Sequence, residues 1–290
     1  MDRGGCRGLL RRLGVALFGV AAWAAPIEAV PPLEDGRQAW QERAEGFDGD
    51  WAQPEAIGRA VRAFELALES DPTRLESYEE LLRALYFMGT FTELSEEAGR
   101  ALFVHGVEVA ESAMRLLHGT SDVADQGAEE LADQVRDRPL AGALHFWSAV
   151  HWGSWADRQG IMAALRQGVA KRLRLHAQVA AILDELYDNA GPHRFLGRLH
   201  AVAPKVPGFT GWVNREKAVE LLARAHELVP EDPNNELFLI EAWLDHEPKK
   251  HPQARARLEA LVAWEPRSEF LVEDAFALRD ARERLAAESE

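Results

Sequence analysis

Apolar positions along the chain recur at three- and four-residue intervals and nowhere alternate for long with polar ones, which is the period of helices rather than strands. Leu75, Tyr78, Leu81, Leu82 and Leu85 keep to one helical face, and Leu237, Leu239, Ile240, Trp243 and Leu244 form a similar stripe. The spacing predicts helices at about 35–46, 54–70, 74–88, 91–117, 125–136, 140–156, 160–187, 192–202, 214–229, 234–246, 251–264 and 269–286. Asn214 stands where an N-cap is expected. His118–Gly127, with Gly119, Thr120, Ser121 and Asp122, reads as an exposed loop. The last helix is polar enough to cap a stack.

One spacing occurs three times: Ala60, Phe64, Ala67, Pro72; Ala218, Leu222, Ala225, Pro230; Ala254, Leu258, Leu261, Pro266. A degraded copy is Leu173, Ala177, Ala180, Glu185. Steps of four and three hold the first three positions on one face, where small residues admit a neighbouring helix, and proline then ends the helix. The pattern resembles the second helix of the tetratricopeptide repeat, although Leu82 stands where that family most often has glycine in its first helix. The expected fold is all-α, a helical-hairpin (TPR-like) α-solenoid with a divergent central segment. Repeat copies are placed near 54–88, 160–187, 214–246 and 251–286, and the divergent insert at about 139–212.

The N-terminus changes the picture of where the chain works. Arg3, Arg7, Arg11 and Arg12 precede an apolar run from Leu13 to Trp23, followed by Ala22-Trp23-Ala24, so residues 1–24 read as a secretory signal peptide and 25–290 as a single helical domain. The only cysteine, Cys6, precedes the apolar run, where neither lipid attachment nor a mature disulfide can use it. A free periplasmic protein held by its core alone is expected. The formal charge is −15, and about −18 without the leader, a surface that repels nucleic acid and anionic lipid.

Catalytic and metal-binding patterns are missing. No H-E-x-x-H, G-x-S-x-G or phosphate-cradling glycine loop occurs, and His145 and His151, six residues apart, fall on different faces of one helix. No enzymatic activity, metal or cofactor is expected. The informative stretch is Leu144–Trp155, which holds three of the nine tryptophans. Trp147, His151 and Trp155 share one face, and His145 and Trp152 another. Two readings stay open: both faces are core, or one lines a ligand chamber. Arg194 and Arg198 flank Phe195, and can either clamp a carboxylate or pair with nearby acids. Ala203–Trp212 is rich in proline and glycine and too apolar for an ordinary loop, so it folds over neighbouring helices or a pore mouth.

The segments HFWSAVHWGSWA at 145–156, GPHRFLGRLHAVAP at 191–204 and VPGFTGW at 206–212, flanked by the repeats, resemble the T component of TRAP (tripartite ATP-independent periplasmic) transporters, the TatT family. The resemblance covers about residues 40–266. It implies a periplasmic homotrimer with a channel through each protomer, a TRAP solute-binding subunit as partner, and a small hydrophobic or amphipathic ligand. Trp147, Trp152 and Trp155 match its aromatic motif, Arg194, Gly197 and Arg198 its R-x-x-G-R motif, and Trp212 its following loop. Members tethered by a lipidated cysteine differ from this chain.

The candidate ligand or partner site is therefore Trp147, His151, Trp152, Trp155, Arg194, Phe195, Arg198 and Trp212. The leading expectation is a non-enzymatic binding or scaffold protein of a TRAP-type uptake system. The alternative is a generic tetratricopeptide adaptor of the cell envelope that binds a protein or peptide partner in a concave groove lined by residues such as Asn234 and Asn235.

Overall fold

The computed structural model describes residues 31–160, 164, 167–206, 208 and 210–288, so the expected leader at 1–24 lies outside the described residues. Twelve α-helices run in order among them: α1 Pro32–Gln41, α2 Pro54–Ser70, α3 Leu75–Phe91, α4 Glu96–His118, α5 Ala128–Val135, α6 Ala141–Gln159, α7 Val169–Leu183, α8 Tyr187–Val202, α9 Arg215–Leu228, α10 Pro233–His246, α11 His251–Leu261 and α12 Leu271–Ala287. Among the described residues there is no strand, only an isolated bridge between Ala52 and Thr92.

Local chemistry sets the helix ends. Ser95 caps α4 by accepting from Ala98 N, Asn214 caps α9 by accepting from Lys217 N, and Asp232 caps α10 by accepting from Asn234 N and Asn235 N. Proline occupies the first turn of α1, α2, α10 and α11, where its missing N–H is not needed.

The recurring triplets do what their spacing predicts. Ala60, Phe64 and Ala67 on α2, Ala218, Leu222 and Ala225 on α9, and Ala254, Leu258 and Leu261 on α11 are all buried, as are Leu173, Ala177 and Ala180 of the degraded copy on α7. Consecutive helices pack on one another through α1–α4, and again through α8–α12. The chain is an all-α, tetratricopeptide-like array of helical hairpins.

The array coils until its last helix meets its first ones. Val272 and Phe276 of α12 share an apolar core with Leu33 of α1, Phe64 of α2 and Phe87 of α3. Phe276 lies edge-on to Phe91 with ring centroids 5.0 Å apart. Just beyond α1, Arg43 donates to Glu273 Oε1 at 3.0 Å and to the Glu269 carbonyl at 2.6 Å. The middle of the coil is filled by α6, in which every residue from Ala141 to Trp152 is buried. It packs against α3, α4, α7 and α8, so its apolar surface runs all the way round.

Two parts of the insert differ from the sequence expectation. The helix expected over 160–187 is shorter: Gly160 and Gly168 hold φ of +83° and +63°, and α7 spans only Val169–Leu183. Residues 161–163, 165 and 166 are outside the described set. Ahead of the helix expected at 192–202, the chain makes a left-handed turn: Asp188, Asn189 and Ala190 have φ of 51°, 56° and 61°, and right-handed helix resumes at Gly191. Three successive non-glycine residues there cost about 1–2 kcal/mol each, so tertiary contacts must hold the turn. The loop expected at 118–127 is largely exposed, but Val123 is buried beside Leu131 and Val179.

Candidate functional site

Inside the coil, α1, α3, α6, α8, α10 and α12 with their flanking turns surround a cavity of about 530 Å³. Its apolar wall comes from Tyr86, Phe87 and Phe91 of α3, Phe146 and Trp147 of α6, and Phe195 of α8. The opposite wall is charged. Arg194 donates to Asp188 Oδ2 at 2.8 Å and to the carbonyls of Asp188 and Asn189, each at 3.0 Å. Asn235 donates to the same Asn189 carbonyl at 3.0 Å. These bonds satisfy the backbone of the left-handed turn.

From there the polar network crosses three helices. Asp232, at the start of α10, lies 3.8 Å from Arg194 and accepts from Arg267 at 2.8 Å, while Arg267 also grips both oxygens of Asp274. Arg198 pairs with Glu241 and covers the ring of Phe238, and Arg83 pairs with Glu80 above Trp40. Every chamber arginine is thus engaged by an acid. Such pairs fix geometry more than they add net stability, because desolvation offsets much of the attraction.

Electrostatics follows from enclosure. Asp188 is 31% accessible, and it lines the cavity. Burial, reinforced by Asp232 and Glu273 against the pull of Arg194, pushes its pKa up to about 6. Burial likewise raises Glu273 and Glu79. Trp147 Nε1 donates to Tyr187 Oη at 2.6 Å, and Tyr187 donates to Glu79 Oε1 at 2.5 Å, so the indole is held at the chamber wall by a buried relay.

The structure gathers Trp147, Arg194, Phe195 and Arg198 at this chamber and places the other candidates elsewhere. His151 donates to the Leu82 carbonyl at 2.8 Å, and its ring fills the space that Gly106 leaves open. Trp152 and Trp155 meet edge-on at 5.6 Å in a separate apolar cluster with Val169 and Leu173. Trp212 packs edge-on against His200 at 5.2 Å beneath the Arg174 guanidinium, so its loop folds onto α7 and α8 rather than over the chamber. The guanidinium groups offered as a carboxylate clamp already hold Asp188, Asp232 and Glu241.

Sequence reasoning missed Arg43, Arg83, Asp188, Asp232, Arg267 and Glu273, which come from segments far apart in the chain. The one local hint was Asp188-Asn189 ahead of Gly191-Pro192, since Asp and Asn tolerate left-handed backbone and proline suits a first helical turn.

Histidine chemistry lies outside the chamber. His145 is buried between His118, Nε2 to Nε2 at 3.0 Å, and His176, Nδ1 to Nδ1 at 2.9 Å. Burial holds His151 at about 4, His176 at about 3 and His145 well below the ordinary range, so all three are neutral near pH 7. Among the described residues no group of three or more His, Cys, Asp or Glu is placed to hold a metal ion, and no helix is long and apolar enough to cross a membrane.

No family model matches the chain, and no curated protein does. Among solved structures, the crystal structure of yeast Tom70 aligns with 92% of this chain and 66% of its own, at 15% identity and a TM-score of 0.22.

Proposed function

We propose that this protein is a periplasmic, TatT-like component of a TRAP-type uptake system, a non-enzymatic helical scaffold that holds a small ligand in its central chamber and engages the system's solute-binding subunit. The observation that carries the reading is the chamber itself, built where the aromatic and R-x-x-G-R segments that resemble TatT come together. A second cavity of about 520 Å³ shares Tyr86, Val150 and Phe195 with the first, so those three side chains stand between the two spaces. That arrangement supports a channel within each protomer.

A generic peptide adaptor needs an open concave groove. Here α6 and α8 occupy the middle of the coil, and Asn235, one of the two asparagines such a groove would use, is consumed by bonds to the carbonyls of Asn189, Ala225 and Val229. Both observations favour the chamber.

The test is isothermal titration of residues 25–290 with a TRAP solute-binding subunit from the same organism, at concentrations on the order of tens of micromolar and with light scattering on the same sample. The reading expects a trimer of this chain and saturable binding of the subunit. Monomeric protein that ignores the subunit, both empty and ligand-loaded, overturns it.

A further inference from the structure

The polar groups of the chamber are not evenly satisfied. Each of its arginines pairs with a carboxylate, with Arg83 Nε left buried and unpartnered, and two carboxylate oxygens lack donors. Asp188 gives Oδ2 to Arg194, and among the described residues no donor reaches Oδ1. Glu273 accepts from Arg43 through Oε1, while its Oε2 is buried without a partner. An acceptor left open away from bulk water is costly until a donor arrives, and a charged donor satisfies it best.

The rings divide in the same way. Arginine guanidinium groups lie over Trp40, Phe238 and Phe270. Tyr86, Phe91, Phe146 and Trp147 pack edge-on or tilted against one another and against their neighbours, and no cation covers them among the described residues. The Phe146 ring and the Asp188 carboxylate flank Gly191, where a Cβ would lie 2.8 Å from the ring and 3.1 Å from Asp188 Oδ2, the oxygen that Arg194 holds. A ring beside an anion is a site for an ammonium group, which gains from both. The left-handed turn at Asp188–Ala190 is what carries the carboxylate to that ring.

We propose that the chamber selects a small amphiphile bearing a positively charged amine, its ammonium group against Asp188 and Phe146 and its apolar body along Tyr86, Phe91 and Val150 toward the adjoining cavity. This rests on the ligand-chamber reading and narrows it to one chemical class. An uncharged apolar ligand would leave Asp188 Oδ1 without a donor, and a carboxylate would meet Asp188, Asp232 and Glu273 beside arginines that each already hold an acid.

Octylammonium, octanol and octanoate share one chain length and differ in charge, so their titration into the mature protein at pH 7 and low salt separates the possibilities. Octylammonium should bind at least tenfold more tightly than octanol, and octanoate more weakly than either. Asp188→Asn should bring octylammonium to the level of octanol and leave octanol unchanged. Phe146→Leu, which removes the ring and spares the turn, should weaken octylammonium several-fold more than octanol. Octanoate or octanol binding as tightly as octylammonium overturns the amine preference while the chamber stands. Failure of all three probes overturns the chamber reading, and this inference with it.

Discussion

Arg194 spans the left-handed turn and holds Asp188 twice, at its main-chain carbonyl and at its side-chain Oδ2, through a single guanidinium nitrogen. Its other terminal nitrogen reaches the Asn189 carbonyl at 3.0 Å and Asn235 Oδ1 at 3.1 Å. Lysine is a point charge without this fork. Arg194→Lys should therefore lower the unfolding free energy by about 2 kcal/mol, and Arg194→Ala by about 3 kcal/mol or more, because the alanine leaves Asp188 without its paired cation. Urea denaturation checks both, and equal, near-zero effects would mean the turn stands without its clamp.

Gly197, the glycine of R-x-x-G-R, marks a close approach of α8 to α9. A Cβ there would sit 2.6 Å from Leu222 Cγ and 3.1 Å from its backbone nitrogen. Since backbone cannot step aside as a side chain can, Gly197→Ala should destabilise by about 2 kcal/mol. Gly153→Ala is the control, with its nearest neighbour the Phe195 ring at 3.5 Å, an ordinary contact. Denaturant midpoints of the two variants should differ clearly.

The buried histidines set an acid limit. Burial depresses His151 to about 4 and His176 to about 3, below their unfolded value of about 6.5. Groups with depressed folded pKa values favour the folded state fully above the unfolded value. That contribution is lost as pH falls from about 6.5 toward 4 and then 3. Imidazole nitrogen spectra should show both rings still neutral at about pH 5, and rings already protonated there would refute the burial.

Asp188 contributes with the opposite sign. Its folded pKa of about 6 lies above the unfolded value of about 3.9, so its favourable contribution is complete below about pH 4 and lost as pH rises through 6. With allowance for its partly open surface, the loss is about 2 kcal/mol. The unfolding free energy of the native protein, relative to Asp188→Asn, should fall by that amount between pH 4 and 7.5. A constant difference would place Asp188 in contact with bulk water.

The helices were legible because each repeat states its packing locally: Ala60, Phe64 and Ala67 need only one neighbouring helix to be buried, and Pro72 ends the segment. The turn at Asp188–Ala190 was not, because what stabilises it comes from Arg194 and from Asn235, which lies on another helix. The chamber was half legible. Aromatic density pointed to α6, yet Trp152 and Trp155 show that the same density serves plain packing, and His151 that a polar ring can simply answer a carbonyl of α3. The charges of the opposite wall could not be read, since Arg43, Asp232, Arg267 and Glu273 become neighbours only when α12 returns to the start of the coil.

A crystal of the protein soaked with 8-bromooctylammonium tests the chamber most directly, because bromine locates the apolar end independently of the protein atoms. The account predicts anomalous bromine density beside Tyr86, Val150 and Phe195, with the amine within hydrogen-bond reach of Asp188. Bromine found only at the molecular surface, with the chamber unchanged, would contradict it.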